Sequence, residues 1–154
     1  MADVHTSEQR SRNMAAIKGT GTLPEKHIRK LLFAEGLRFR NNRRDLPGRP
    51  DITLPKYKTV IFVHGCFWHN HHCSLKKFPS TNAEFWKAKL TQNSRRDEEN
   101  KRSLINTGWK VITIWECAIR GKQKFKEEEL QQLLVLATFV CVRDWYFGKY
   151  CKID

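Results

Sequence analysis

The chain has 154 residues, enough for one domain of ordinary size that buries a core without disulfides, so a single domain over 1–154 is expected. Lys and Arg outnumber Asp and Glu by 29 to 16, and the excess is spread over all three thirds of the chain, so the folded surface is basic and suits a polyanion such as nucleic acid. Five cysteines with no signal peptide and no regular disulfide spacing speak against a stapled secreted scaffold and for the reducing cytoplasm, and the longest apolar run, Leu133–Val142, is about half of what a bilayer span needs.

Along the chain, residues 1–20 are basic and only weakly amphipathic, with Met14, Ala15 and Ile17 clustered, which predicts an arm and not a core helix. Thr22 and Glu25 stand in capping-box spacing beside Pro24. Ile28, Leu31 and Leu32 then form one apolar face before Gly36, which predicts a helix over about 23–36. A strand near Leu37–Arg40 and a basic turn at "LPGRP" lead to a second strand entered through Asp51. "KTVIFVHG" reads as a continuous apolar strand buried on both faces. A helix starts near Thr81 or Asn82 and continues through "TQNSRRDEENKR", twelve residues without an apolar side chain. That stretch is either a solvated face or a face meant for a polar, anionic partner. "NTG" closes the helix, "WKVITIWEC" is a second buried strand that delivers Cys117, and a last helix spans about 126–137. The aromatic tail has no clear pattern. The element order predicts an α/β sandwich around a mixed sheet.

The segment "VHGCFWHNHHC", residues 63–73, holds two cysteines and four histidines. A structural zinc takes four Cys or His ligands, and Cys66, His71 and Cys73 offer three, with Cys117 placed to close the set. Spacing alone leaves His69 and His72 as alternatives to His71, and Cys141 or Cys151 as alternatives to Cys117. The histidines left over include His64, where a buried strand emerges. Asp51 is a carboxylate so close to an apolar sheet that it needs a partner or a cation. Asp plus neutral His beside a basic surface suits metal-assisted phosphodiester hydrolysis.

These residues resemble the very short patch repair mismatch endonucleases. The likeness is carried by "MADVH", "RSRNMAAI", "LPGRPDI", "VIFVHGCFWHNHHC", "FW" at 85–86, Asn93, "RD" at 96–97 and "GWKVITIWECAIRG". It runs from the first residue to about Lys124 and fades over the variable helix and tail, 125–154. It implies a restriction-endonuclease-like core that nicks DNA 5′ to the thymine of a T:G mismatch left by deamination of 5-methylcytosine. It places Mg²⁺ on Asp51 and the main-chain carbonyl of Val63, catalytic histidines on His64 and His69, and a glutamate paired with the catalytic histidine on Glu25. Zn²⁺ falls on Cys66, His71, Cys73 and Cys117. Phe67, Trp68 and Trp86 are its intercalating aromatics, with Met14 entering from the other groove and Lys89 and Asn93 near the mismatched bases. Two departures are Val63, where the family has threonine, and Asn70, where it has histidine. The Glu-x-Lys of restriction-type nucleases is also absent from "Val63-His64-Gly65", so histidine must replace the lysine.

The expected partners are duplex DNA with a T:G mismatch and, beyond it, mismatch-repair proteins, with no membrane; nicking one strand requires only a monomer, at the nucleoid. Two other readings remain open, a zinc-stabilised DNA-binding module without catalysis and a restriction-type nuclease acting on paired DNA. His72 has no assigned role.

Overall fold

Two capping boxes set the helices of the N-terminal third. In the structure, a computed structural model that describes residues 6–122, 124–140 and 144–147, Thr6 and Gln9 close the first box at the head of α1 (Ser7–Ala15). Thr22 and Glu25 close the second at the head of α2 (Leu23–Ala34), with Pro24 in its first turn. The basic arm is therefore helical over nine residues. Its cap satisfies amides that the weak apolar pattern gives no reason to order. Arg10 ties this exposed helix to Thr81 through a 3.3 Å hydrogen bond.

Five strands lie side by side in chain order: β1 (Arg40–Asn41), β2 (Ile52–Leu54), β3 (Thr59–His64), β4 (Lys110–Trp115) and β5 (Asp144–Phe147). The pairs β1–β2 and β2–β3 are antiparallel, whereas β3–β4 and β4–β5 are parallel. Each parallel step needs a crossover, supplied by α3 (Ala83–Asn106) and by α4 (Glu116–Ile119) with α5 (Glu127–Phe139). Alternation along the strands builds a core on each face. Ile61, Ile112 and Ile114 pack with Ile28, Leu32, Leu130 and Leu134 of α2 and α5. Val60, Phe62 and Val111 pack with Leu104 of α3. The helices thus cover both faces of a mixed sheet, the α/β sandwich expected from the sequence.

Three elements differ from the sequence reading. The strand near Leu37–Arg40 shrinks to Arg40–Asn41, because Gly36 takes a φ of +74° and Leu37 N–H bonds back to the Leu32 carbonyl at the end of α2. Cys117 sits in the one-turn helix α4, just beyond the strand. Within the aromatic tail, Asp144–Phe147 extends the sheet beside β4; a run without period-two alternation gave no strand signal. Cys141 and Cys151 lie outside the described residues. Among the described residues no helix is long and apolar enough to cross a membrane.

Candidate active site and metal centre

Asp51 follows the "LPGRP" turn and precedes β2, where the antiparallel neighbour β3 brings the Val63 amide within reach of its side chain. Its Oδ2 accepts a 2.7 Å hydrogen bond from Val63 N–H. Burial pushes the Asp51 pKa up to about 6, against the opposing pull of that N–H; the Glu25 charge adds to the rise, while Arg29 and His69 moderate it. An ionised Asp51 here gains from any cation that enters.

Glu25 is 2% exposed. It accepts from Gly21 N–H at 2.9 Å and from Thr22 N–H and hydroxyl at 3.3 and 3.0 Å. Arg29, one turn on, donates to Glu25 at 2.9 Å, to the Asp51 carbonyl at 3.2 Å and to Asn42 Oδ1 at 3.4 Å. One guanidinium therefore joins the head of α2 to the turn that carries Asp51. Among the described residues no histidine is a partner of Glu25, contrary to the pairing implied by the resemblance, because the cap and Arg29 already hold its oxygens.

The carboxylate that meets a histidine is Asp97 of α3, whose Oδ2 lies 2.5 Å from His69 Nδ1. His69 stacks on His64 with ring centroids 3.7 Å apart and planes 2° from parallel. His64, at the end of β3, is only 9% exposed. Burial first, and the neighbouring His69 second, holds its pKa well below the usual imidazole range. Its Nδ1 is buried without a hydrogen-bond partner among the described residues.

The second group is Cys66, His71, Cys73 and Cys117, whose ligand atoms all lie within 4.8 Å of one another. Cys117 Sγ is 3.6 Å from His71 Nδ1. A tetrahedral centre with bonds of roughly 2.3 Å to sulfur and 2.1 Å to nitrogen separates such atoms by about 3.6 Å, so the spacing fits a tetrahedral metal ion. His71 is oriented by stacking on Trp115 at 4.3 Å and 10°. Burial raises the Cys66 thiol, with Cys73 and Cys117 beside it; a cation is what would turn such thiols into thiolates. His72 is exposed and outside the group.

Phe67 and Trp68 are the loop aromatics to which the resemblance gives an intercalating role. They are half-buried; they meet each other edge-on with centroids 5.1 Å apart and meet Trp86 of α3 at 5.4 and 6.0 Å. Asn93 Nδ2 donates to the Trp68 carbonyl at 3.0 Å, which fixes the loop against α3. Lys89 and Met14 are exposed.

A cavity of about 980 Å³ joins these parts, with Glu25, Asp51, His64, Phe67, Trp68 and His69 on its wall. From α3 come Ser94, Asp97, Glu98, Asn100 and Lys101, so the inward side of the polar stretch is the wall of a cleft. The sequence reading quoted Asp97 only within the family likeness, without a role, and did not single out Arg29. The available signals were polar residues at helical spacing over 93, 97 and 101 and the i,i+4 pair of Glu25 with Arg29.

A model of the family described as DNA mismatch endonuclease Vsr matches residues 2–75. The DNA mismatch endonuclease Vsr of Escherichia coli is 48% identical over 134 residues, covering 87% of this chain and 86% of its own length. The type II nicking enzyme V.NmeAIP of Neisseria meningitidis is 44% identical over 127 residues, 82% and 91% of the two chains. The type II nicking enzyme V.XorIIP of Xanthomonas oryzae pv. oryzae is 40% identical over 119 residues, 77% and 88%.

Proposed function

The chain belongs to the DNA mismatch endonuclease Vsr family, and from that premise we propose that it nicks one strand of duplex DNA at a T:G mismatch left by deamination of 5-methylcytosine. The cut falls 5′ to the mismatched thymine and proceeds by Mg²⁺-dependent phosphodiester hydrolysis. The observation that carries this reading is the shared cavity, with the half-buried Asp51 carboxylate and a His–Asp pair on its wall and aromatic rings beside them. Its scaffold is the restriction-endonuclease-like mixed sheet described above, acting as one domain and a monomer in the cytoplasm.

Asp51, with the main-chain carbonyl of Val63, is the hard oxygen site for Mg²⁺. When bound, the ion supplies positive charge against the scissile phosphate. The rest falls to side chains. A hydrogen bond from His69 Nδ1–H to Asp97 fixes the tautomer and leaves Nε2 as a base for the attacking water. His64, kept neutral by burial, lies flat against that ring and holds its plane. Glu25 and Arg29 hold the turn that presents Asp51. The basic surface supplies affinity for the phosphate backbone, with Lys89 and Asn93 near the mismatched bases. Phe67, Trp68 and Trp86, with Met14 from the opposite groove, are the wedge; a wobble pair lowers the unstacking cost that such a wedge meets. The Cys66, His71, Cys73, Cys117 group holds Zn²⁺ and fixes the loop that carries both the wedge and His69.

On an end-labelled T:G duplex the protein is expected to give a single nick 5′ to the thymine. Asp97→Asn is expected to give the same product about 10²-fold more slowly in single turnover, since general-base catalysis contributes on the order of 10²–10⁴, with unchanged affinity for the duplex. An unchanged rate would remove the His69–Asp97 pair from the chemistry, and a nick elsewhere would contradict the assigned product.

A further inference from the structure

Arg49 adopts a φ of +51°. Left-handed backbone is disfavoured for a long side chain, and a residue before proline is pushed toward extended backbone, so Arg49 before Pro50 meets both penalties. Its neighbour Gly48 has a steric reason for its type: at φ +71°, an added Cβ would lie 3.1 Å from the Cβ of Asn100 on α3. No such reason applies at 49, where glycine or asparagine would hold the same turn, closed by Arg49 N–H to the Leu46 carbonyl at 3.1 Å, with less strain. A disfavoured conformation retained two residues from Asp51 points to use of the side chain.

The arginine is exposed and lies on the wall of the cavity that Asp51, His64 and His69 line. Arg29, Arg43 and Arg120 are each paired with a carboxylate, of Glu25, Asp45 and Glu116. Arg49 makes no side-chain hydrogen bond or ion pair among the described residues. A planar guanidinium free of partners two residues from a half-buried carboxylate is suited to two-pronged binding of a phosphate.

We propose that Arg49 binds a phosphate of the strand to be nicked, the one adjacent to the scissile phosphate, and so sets the register of the scissile bond against Asp51. This rests on the nuclease reading above. Because Asp51 and Arg49 share one rigid turn, with Pro50 between them, two successive phosphates are held by a single backbone element.

The test compares wild type with Arg49→Ala, Arg49→Lys and Arg49→Gly, on T:G duplexes with and without a neutral methylphosphonate at that adjacent position. Arg49→Ala is expected to bind the unmodified duplex about tenfold more weakly, with the slope of log affinity against log salt reduced by about one. The methylphosphonate should weaken wild type by about the same factor and leave Arg49→Ala unaffected. Arg49→Lys should keep the salt slope. Arg49→Gly should lose as much binding as the alanine variant while melting at or above the wild-type temperature. An unchanged salt slope in Arg49→Ala, a full methylphosphonate penalty in that variant, or a lower melting temperature in Arg49→Gly would each overturn the proposal. Wild type that leaves every T:G duplex intact would instead sink the nuclease reading.

Discussion

Asp51→Asn is expected to lose nicking by about 10³-fold or more, the effect of several kcal/mol of charge stabilisation at the phosphate, while T:G binding persists and the protein without Mg²⁺ becomes more stable. The sign follows from burial. The folded pKa of Asp51 is raised to about 6 from 3.8. Its protonated form therefore stabilises the fold below about pH 4, and that contribution is lost as the pH rises to about 6. At pH 7 the ionised carboxylate costs about 2–3 kcal/mol relative to a neutral side chain. For a chain of this size the asparagine variant should melt roughly 5–10 °C higher, with the difference opening between about pH 4 and 6 and flat above. Equal melting temperatures at pH 7 without Mg²⁺ would show that Asp51 carries no such strain. Full nicking by the variant would remove it from the mechanism.

Cys117→Ser is expected to reduce bound zinc from about one ion per chain to almost none and to lower the melting temperature by more than about 10 °C, because a structural zinc contributes its binding free energy to folding. The loss should spread to the chemistry. Cys117 of α4 is the only one of the four grouped residues outside the loop Cys66–Cys73, and that loop carries Phe67, Trp68 and His69. Once released, His69 is no longer held against Asp97. Metal analysis by mass spectrometry, with thermal melting on the same sample, reads both effects. An unchanged zinc content and melting temperature would place the fourth ligand elsewhere. His72→Ala, at an exposed position outside the group, is the matched control with no expected change.

The parts that could be read from the sequence are those in which local chemistry decides the structure. "KTVIFVHG" and "WKVITIWEC" are too apolar to be anything but interior strands, and they became β3 and β4. Two cysteines seven residues apart among histidines, with a third cysteine at a strand end, gave a group whose atoms do converge. What could not be read depends on tertiary placement. Asp97 lies in a stretch whose polarity is the same for a solvated helix and for a cleft wall; only packing of Leu90 and Leu104 at its two ends turns its middle toward His69. Glu25 looked like a cap, which it is, but its link through Arg29 to the Asp51 turn joins segments 22 residues apart. Trp68 has one aromatic neighbour visible in the sequence, Phe67; its other ring partner is Trp86, one helix away.

The most direct test of the account is a nicking assay on matched duplexes, one with a T:G mismatch and one with T:A in its place, each with Mg²⁺ and with EDTA. The account predicts one nick, 5′ to the thymine, in the T:G duplex with Mg²⁺ and none in the other three reactions. Binding without nicking in every reaction would contradict it in favour of a non-catalytic DNA-binding module, and equal cutting of T:G and T:A would contradict it in favour of a nuclease that acts on paired DNA.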